Sequence, residues 1–197
     1  MKRLFRRKKS KVITIVSGLP RSGTSMMMKM LEAGGIPPLT DDIRSADNDN
    51  PKGYYEFERA KKLKEGDTAW LPEARCKAIK IIAALLVHLP PDYKYNVLFM
   101  HRNIDEVLAS QAKMLTHRGE ESCVDDAAMA DLLQKHIKQV KAWMNSQPNL
   151  QYIDVDYNAM LRDPVPRVRQ INQFLGACLN EQKMAAVVDP NLYRQKK

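Results

Sequence analysis

Hydrophobic positions along this chain switch between two periods. Val12 to Gly18, VITIVSG, is nearly continuous and β-branched, as a strand buried on both faces would be. SMMMKMLEAGGI follows with helical character, a hydroxyl residue at its start and Gly34-Gly35 at its end. The methionines at 26, 27, 28 and 30 are expected to fill a core. Residues 37–53 are turn-rich and acidic and predict a loop, and Glu56 to Lys64 predicts a short charged helix stopping at Gly66. AIKIIAALLVHL then reads as a buried strand followed by a packed helix, with the strand spanning CKAIKIIA, 76–83. NVLFMHR, 96–102, predicts a third strand running straight into the helix NIDEVLASQAKML. From about Asp125 to Asn145, apolar residues at Met129, Leu133, Ile137, Val140 and Met144 recur every three or four positions, the mark of a long amphipathic helix. QYIDVDY, 151–157, predicts a fourth strand. Two helices close the chain at about 164–175 and 180–188, with Gly176 as the stop between them.

Strands alternating with helices predict a three-layer α/β/α fold with a parallel central sheet. In such sheets ligands bind at the carboxyl ends of the strands, where Gly18, Arg102 and Asp156 are expected together. The turn after the first strand carries the clearest chemical signal. Gly18-Leu-Pro-Arg-Ser-Gly-Thr-Ser25 has the G-x-x-x-x-G spacing of a phosphate-binding loop, so the fold class is the P-loop nucleotide-binding type. Backbone N–H groups and the positive end of the following helix would converge on an anion there. Ser22, Thr24 and Ser25 offer hydroxyls, and Arg21 offers a fork of charged donors. The usual lysine is missing, since Thr24 occupies its place. A magnesium nucleoside triphosphate relies on that lysine, and losing one charge-assisted contact costs about 1.5–3 kcal/mol.

Bulk properties narrow the setting. With 197 residues, 44% of them hydrophobic, the chain has the material for one globular domain, expected over 11–197. The net charge is +9, yet residues 1–11 hold seven basic groups and no acid, leaving +2 for the remainder. Residues 1–10 are therefore expected to be a basic disordered tail, and no specific nucleic-acid partner is expected. No apolar run approaches the roughly 18–20 residues of a transmembrane span. Cys76, Cys123 and Cys178 form no C-x-x-C pair, which indicates neither a zinc site nor a disulfide framework and fits a cytoplasmic protein with reduced thiols. The oligomeric state stays open.

Pro20-Arg21-Ser22-Gly23-Thr24-Ser25 resembles the 5′-phosphosulfate loop, P-[KR]-[ST]-G-[TS]-[TS], of sulfotransferases that use 3′-phosphoadenosine 5′-phosphosulfate (PAPS). VLFMHRNIDEVLAS, 97–110, resembles that family's strand followed by R-N-x-x-D-x-x-x-S, which implies that Arg102 and Ser110 grip the donor's 3′-phosphate. DVDYNAMLRDPVPRVRQINQFLG, 154–176, resembles Y-E-x-L-x-x-D-P…FLG, and the C-terminal VDPNLYRQKK resembles a basic segment whose Arg194 would reach the same phosphate. The resemblance implies PAPS as donor, no metal, and in-line sulfuryl transfer to a hydroxyl or amine of a small-molecule or glycan acceptor. Arg21 would then be catalytic, countering charge on the transferring group. Glu56 is the candidate base, with Glu58 and His88 as competitors. A salt bridge to Asp105 or Glu106 is the plain alternative for Arg102. A P-loop kinase or ATPase, or a nucleotide-binding module without catalysis, are the competing functions.

Overall fold

A computed structural model of the chain describes residues 12–41, 54–117 and 125–188. Among these, four strands form one parallel sheet in the order β2-β1-β3-β4: β1 Val12–Gly18, β2 Ala78–Lys80, β3 Lys94–His101 and β4 Leu150–Asp156. Alternate side chains of the central strands point into different cores, which is why β1 and β3 read as continuous apolar runs. Ile13, Ile15, Val97 and Phe99 pack with Trp70, Leu71, Leu86, Val140 and Met144 on one face. Val16, Leu98 and Met100 pack on the other with Met27, Met28, Met30, Met160, Val168 and Met184. Helices α1 (Thr24–Gly34), α5 (Tyr157–Arg162), α6 (Pro164–Phe174) and α7 (Glu181–Ala185) supply the second face. The first is covered by α4 (Asp126–Ser146) and by the segment holding α2 (Glu58–Lys61) and three 3-10 turns, at Lys62–Glu65, Leu71–Ala74 and Ala83–His88. Helix α3 (Ile104–His117) follows β3.

The expected three-layer parallel architecture is therefore present, and the methionines fill its core: Met27, Met28 and Met30 are fully buried. Helix stops fall where glycine was read, with Gly35 at φ +107° and Gly66 at +87° in the left-handed region. Asp125 caps α4 through the Ala127 and Ala128 N–H groups.

Two elements differ from expectation. Strand β2 has three residues instead of eight. It lies at the sheet edge and pairs in register with β1 over only Thr14↔Ala78 to Val16↔Lys80. Cys76 at φ +63° bends the chain just before it, and Ala83–His88 winds into a 3-10 turn just after. Helix α5 was not expected. Asp156 ends β4 and at once caps the new helix, its carboxylate accepting from Ala159 N–H at 2.7 Å, so strand passes into helix without a loop.

The strand order creates one switch point. From β1 the chain crosses to β2 on one side, then returns to β3 on the other, so the connections diverge between β1 and β3. Gly18 is in register with Met100, and His101 with Asp156. No helix among the described residues is long and apolar enough to cross a membrane.

Candidate functional site

The turn from β1 to α1 is tight because two glycines make it so. Gly18 has φ +146°, and a Cβ there would stand 2.6 Å from Ser22 Oγ and 2.7 Å from the Met100 carbonyl oxygen. Gly23 has φ +96°, and a Cβ would stand 2.3 Å from Cδ2 of Tyr157. Any other residue at either position would force the turn open. Gly23 is also the N-cap of α1 and has no side chain with which to cap it. The first N–H groups of a helix have no acceptor within it, and here Met27 N–H is the one that bonds back to Gly23 O, at 3.1 Å. An uncapped helix start, facing the switch point, is the cradle an anion needs. Arg21 holds φ +71°, an uncommon conformation for a residue with a side chain.

Side chains from the β3–α3 connection and from α3 close one side of this loop. Arg21 Nε donates to Ser110 Oγ at 2.9 Å, across 89 residues of sequence. Arg102 Nη1 donates to the Arg21 carbonyl at 3.1 Å, and Arg102 Nε to Glu106 Oε2 at 2.8 Å. Arg102 and Glu106 expose only 8% and 5% of their side chains. The second Glu106 oxygen accepts from Asn158 Nδ2 at 2.9 Å. The Arg102 guanidinium lies over the ring of Tyr157, 4.7 Å from its centroid. Burial pushes the Tyr157 phenol above its ordinary value even though Arg102 pulls the other way, so the ring beneath the cation stays neutral. A cavity of about 480 Å³ opens beside these groups, lined among others by Arg102, Glu106, Asn158 and Arg162.

The opposite side of the loop is built from β2 and the segment before α2. The Tyr54 carbonyl accepts from Ser25 Oγ at 3.4 Å and from Lys80 Nζ. Two residues on, the Glu56 carboxylate lies 2.9 Å from Lys61 Nζ and 3.7 Å from Lys80 Nζ. Its main-chain carbonyl accepts from Thr40 Oγ1 at 2.9 Å. Lys80 is paired in register with Val16, two residues before Gly18. Both flanks of this loop thus carry a buried or half-buried cation beside a carboxylate.

A family model described as "Sulfotransferase family" matches residues 77–181, more than half of the chain. The chain belongs to the sulfotransferase family. Comparison with curated proteins gives no match. Among solved structures, this sulfotransferase resembles the sulfotransferase domain of the Synechococcus PCC 7002 olefin synthase, at 16% identity and a TM-score of 0.52, over 98% of this chain and 86% of that one. It also resembles the sulfotransferase domain from the curacin biosynthetic pathway, at 15% identity and a TM-score of 0.51, over 93% and 86% of the two chains. Both likenesses bear on the fold.

Within this sulfotransferase, Arg21, Gly23, Thr24, Ser25, Arg102 and Ser110 gather at the switch point, and Glu56 lies beside Lys80 on the far flank. Pro20 is exposed at the turn. Ser22 is only 1% exposed and its hydroxyl is turned inward, donating to the Leu19 carbonyl at 2.7 Å, so it shapes the loop from behind. Glu58 points to Lys61, at 2.6 Å, with 42% of its side chain exposed. His88 closes the 3-10 turn Ala83–His88. Arg194, the tail 1–10, residues 42–53 of the acidic loop and Cys123 lie outside the described residues. Sequence reasoning passed over Tyr157 and Asn158 and gave Glu106 only a competing role. The spacing of Glu106, one helical turn after Arg102, was the signal available for it. For the other two the signal was the Y-E-x-L-x-x-D-P resemblance, whose first two positions fall on Tyr157 and Asn158.

Proposed function

We propose that this sulfotransferase takes its sulfuryl group from PAPS and passes it in line, without a metal, to a hydroxyl or amine of a small-molecule or glycan acceptor. The observation that carries this reading is the convergence of Arg21, Arg102 and Ser110, with Arg21 bonded to Ser110 at 2.9 Å and Arg102 to the Arg21 carbonyl at 3.1 Å. A 3′,5′-substituted nucleotide carries two separate anions, and a tight fit needs two cationic corners held at a fixed spacing. A triphosphate concentrates its charge at one end and would want the lysine that Thr24 replaces.

In this reading the start of α1, with Thr24 and Ser25, receives the 5′-phosphosulfate, and Arg102 and Ser110 grip the 3′-phosphate. Arg194 would join them, as the family resemblance implies. The nucleoside would use the cavity beside Arg102. Arg21 and Lys80 would oppose the charge that builds on the transferring group and its bridging oxygen, which is worth most when the donors are held in place beforehand. Glu56 would take the acceptor's proton. It is preferred to Glu58 because its segment is tied to both Ser25 and Lys80, through the Tyr54 carbonyl. A reducing compartment fits Cys178, an exposed cysteine without a disulfide.

Calorimetry with adenosine 3′,5′-bisphosphate and Mg-ATP, side by side, tests the class. Binding of the bisphosphate alone, with turnover indifferent to chelator, is expected. Tight Mg-ATP binding with chelator-sensitive activity would turn the reading to a kinase or ATPase. Bisphosphate binding with no turnover of any acceptor, and no effect of Glu56→Gln, would turn it to a binding module.

A further inference from the structure

We propose that Glu106 and Asn158 are positioning residues that aim Arg102, and that together they set the preference of this site for a nucleotide bearing a 3′-phosphate. The inference rests on the PAPS reading above. A guanidinium recognises phosphate well only when its plane and edge are held in the right orientation. Arg102 is held on three sides by three different parts of the fold. Glu106, in the first turn of α3, takes Nε at 2.8 Å. The Arg21 carbonyl in the anion loop takes Nη1 at 3.1 Å. Tyr157, at the start of α5, supports the flat face at 4.7 Å.

Glu106 can do this only if its own carboxylate does not rotate. It is 5% exposed, and each oxygen has a separate donor, Arg102 on one and Asn158 on the other at 2.9 Å. Asn158 comes from α5, 52 residues away in sequence, so it holds α3 and α5 at one spacing around the arginine. The arrangement needs two acceptors on one side chain. Glutamine at 106 would present one acceptor and one donor, and would set N–H against N–H at Arg102 or at Asn158. A chain Asn158–Glu106–Arg102 thus runs from α5 through α3 to the main chain of the anion loop. The 3′ corner and the 5′ loop keep a fixed relation because of it.

The test compares wild type, Glu106→Gln and Asn158→Ala as full chains, titrated with adenosine 3′,5′-bisphosphate and with adenosine 5′-monophosphate. Wild type is expected to prefer the bisphosphate. Glu106→Gln should shrink that preference by about tenfold, and Asn158→Ala by about threefold, from the loss of a charge-assisted or a neutral hydrogen bond. Monophosphate affinity should stay within about twofold in both. Asn158 lines the cavity, but a lost contact to the nucleoside would weaken both ligands alike, so the ratio isolates the effect on the 3′ corner. An unchanged ratio in both variants, or parallel loss of both ligands tracking lost thermal stability, would overturn the inference while leaving the donor reading intact. Absence of any preference in wild type would remove the donor reading and this inference with it. Should Glu106→Gln fail to fold, Asn158→Ala decides alone, since it leaves the Arg102–Glu106 pair in place.

Discussion

Replacing Gly23 by alanine isolates the contact on which the site's shape depends. Two penalties arise. A left-handed backbone costs an L-residue roughly 1–2 kcal/mol. The new methyl would also stand 2.3 Å from Tyr157 Cδ2, far inside the roughly 3.5–4.0 Å at which carbon atoms attract. Tyr157 is 8% exposed, packed between the loop and Arg102, so it has little freedom to withdraw. Overpacking of this kind costs about 1–3 kcal/mol. The sum is about 2–5 kcal/mol, and for a chain of this length each kcal/mol lowers Tm by roughly 2–4 °C. Gly35→Ala is the matched control. It sits at φ +107° with nothing within 4 Å of a new Cβ, so it carries the backbone penalty alone. Thermal unfolding should therefore place Gly23→Ala below Gly35→Ala by about 2–12 °C. Bisphosphate affinity should fall only in the first, because a displaced Tyr157 ring takes support from Arg102. Combining Gly23→Ala with Tyr157→Ala should give less than additive loss, since the second change removes the obstacle. If Gly23→Ala and Gly35→Ala behave alike in both assays, the loop is not braced by Tyr157.

Three further outcomes follow from the same contacts. Arg102→Ala removes the cation beside the buried Glu106 carboxylate and should lower stability by about 3–5 kcal/mol in denaturant unfolding, with partial recovery in Arg102→Ala/Glu106→Ala; a single variant as stable as wild type refutes this. Glu56→Gln should lower the transfer rate by about 10²–10⁴-fold, the scale of a lost acid–base group, with bisphosphate affinity unchanged and Glu58→Gln near wild type; the reverse ranking moves the base to Glu58. For Asp154, burial, the largest single effect, pushes the carboxyl up, but hydrogen bonds from Lys141 and His101 together outweigh it and hold it below the ordinary range. A depressed carboxyl stabilises the fold above its ordinary value of about 4 and loses that contribution as pH falls through the folded value. The side chain is 48% exposed, so solvent screens the pair and the contribution is small. Urea midpoints of wild type and Asp154→Asn should converge on acidification below about pH 4; a gap independent of pH would falsify the ion-pair account.

How much could be read in the chain depended on how local each feature is. The tight turn after β1 was legible because its cause lies within eight residues, Gly18 to Ser25: the end of a buried strand, two glycines at fixed spacing and a helix start. Arg102 and Ser110 share a neighbourhood because only two residues separate β3 from α3, and both side chains reach Arg21 in the turn after β1. Strand β2 was read too long because apolar residues continue from Ile79 to Leu86 while their role changes from strand to 3-10 turn, and composition does not register that change. Ser22, Thr24 and Ser25 are alike as hydroxyl donors in sequence, yet Ser22 faces the Leu19 carbonyl and Ser25 the Tyr54 carbonyl. Helix α5 escaped because Asp156 serves both as the last residue of β4 and as the helix cap.

Sequence alone determined the layer architecture and the pair of glycines that make the turn after β1 tight, because periodicity and backbone freedom are properties of short stretches. Tertiary structure decided which groups complete the site. Arg21 meets Ser110 across 89 positions, Arg102 meets Arg21 across 81 and Glu106 meets Asn158 across 52, and those contacts exist only because the sheet order brings the ends of β1, β3 and β4 side by side. Strand order follows from how whole elements pack on two opposed cores, a sum over the entire chain that no single stretch carries.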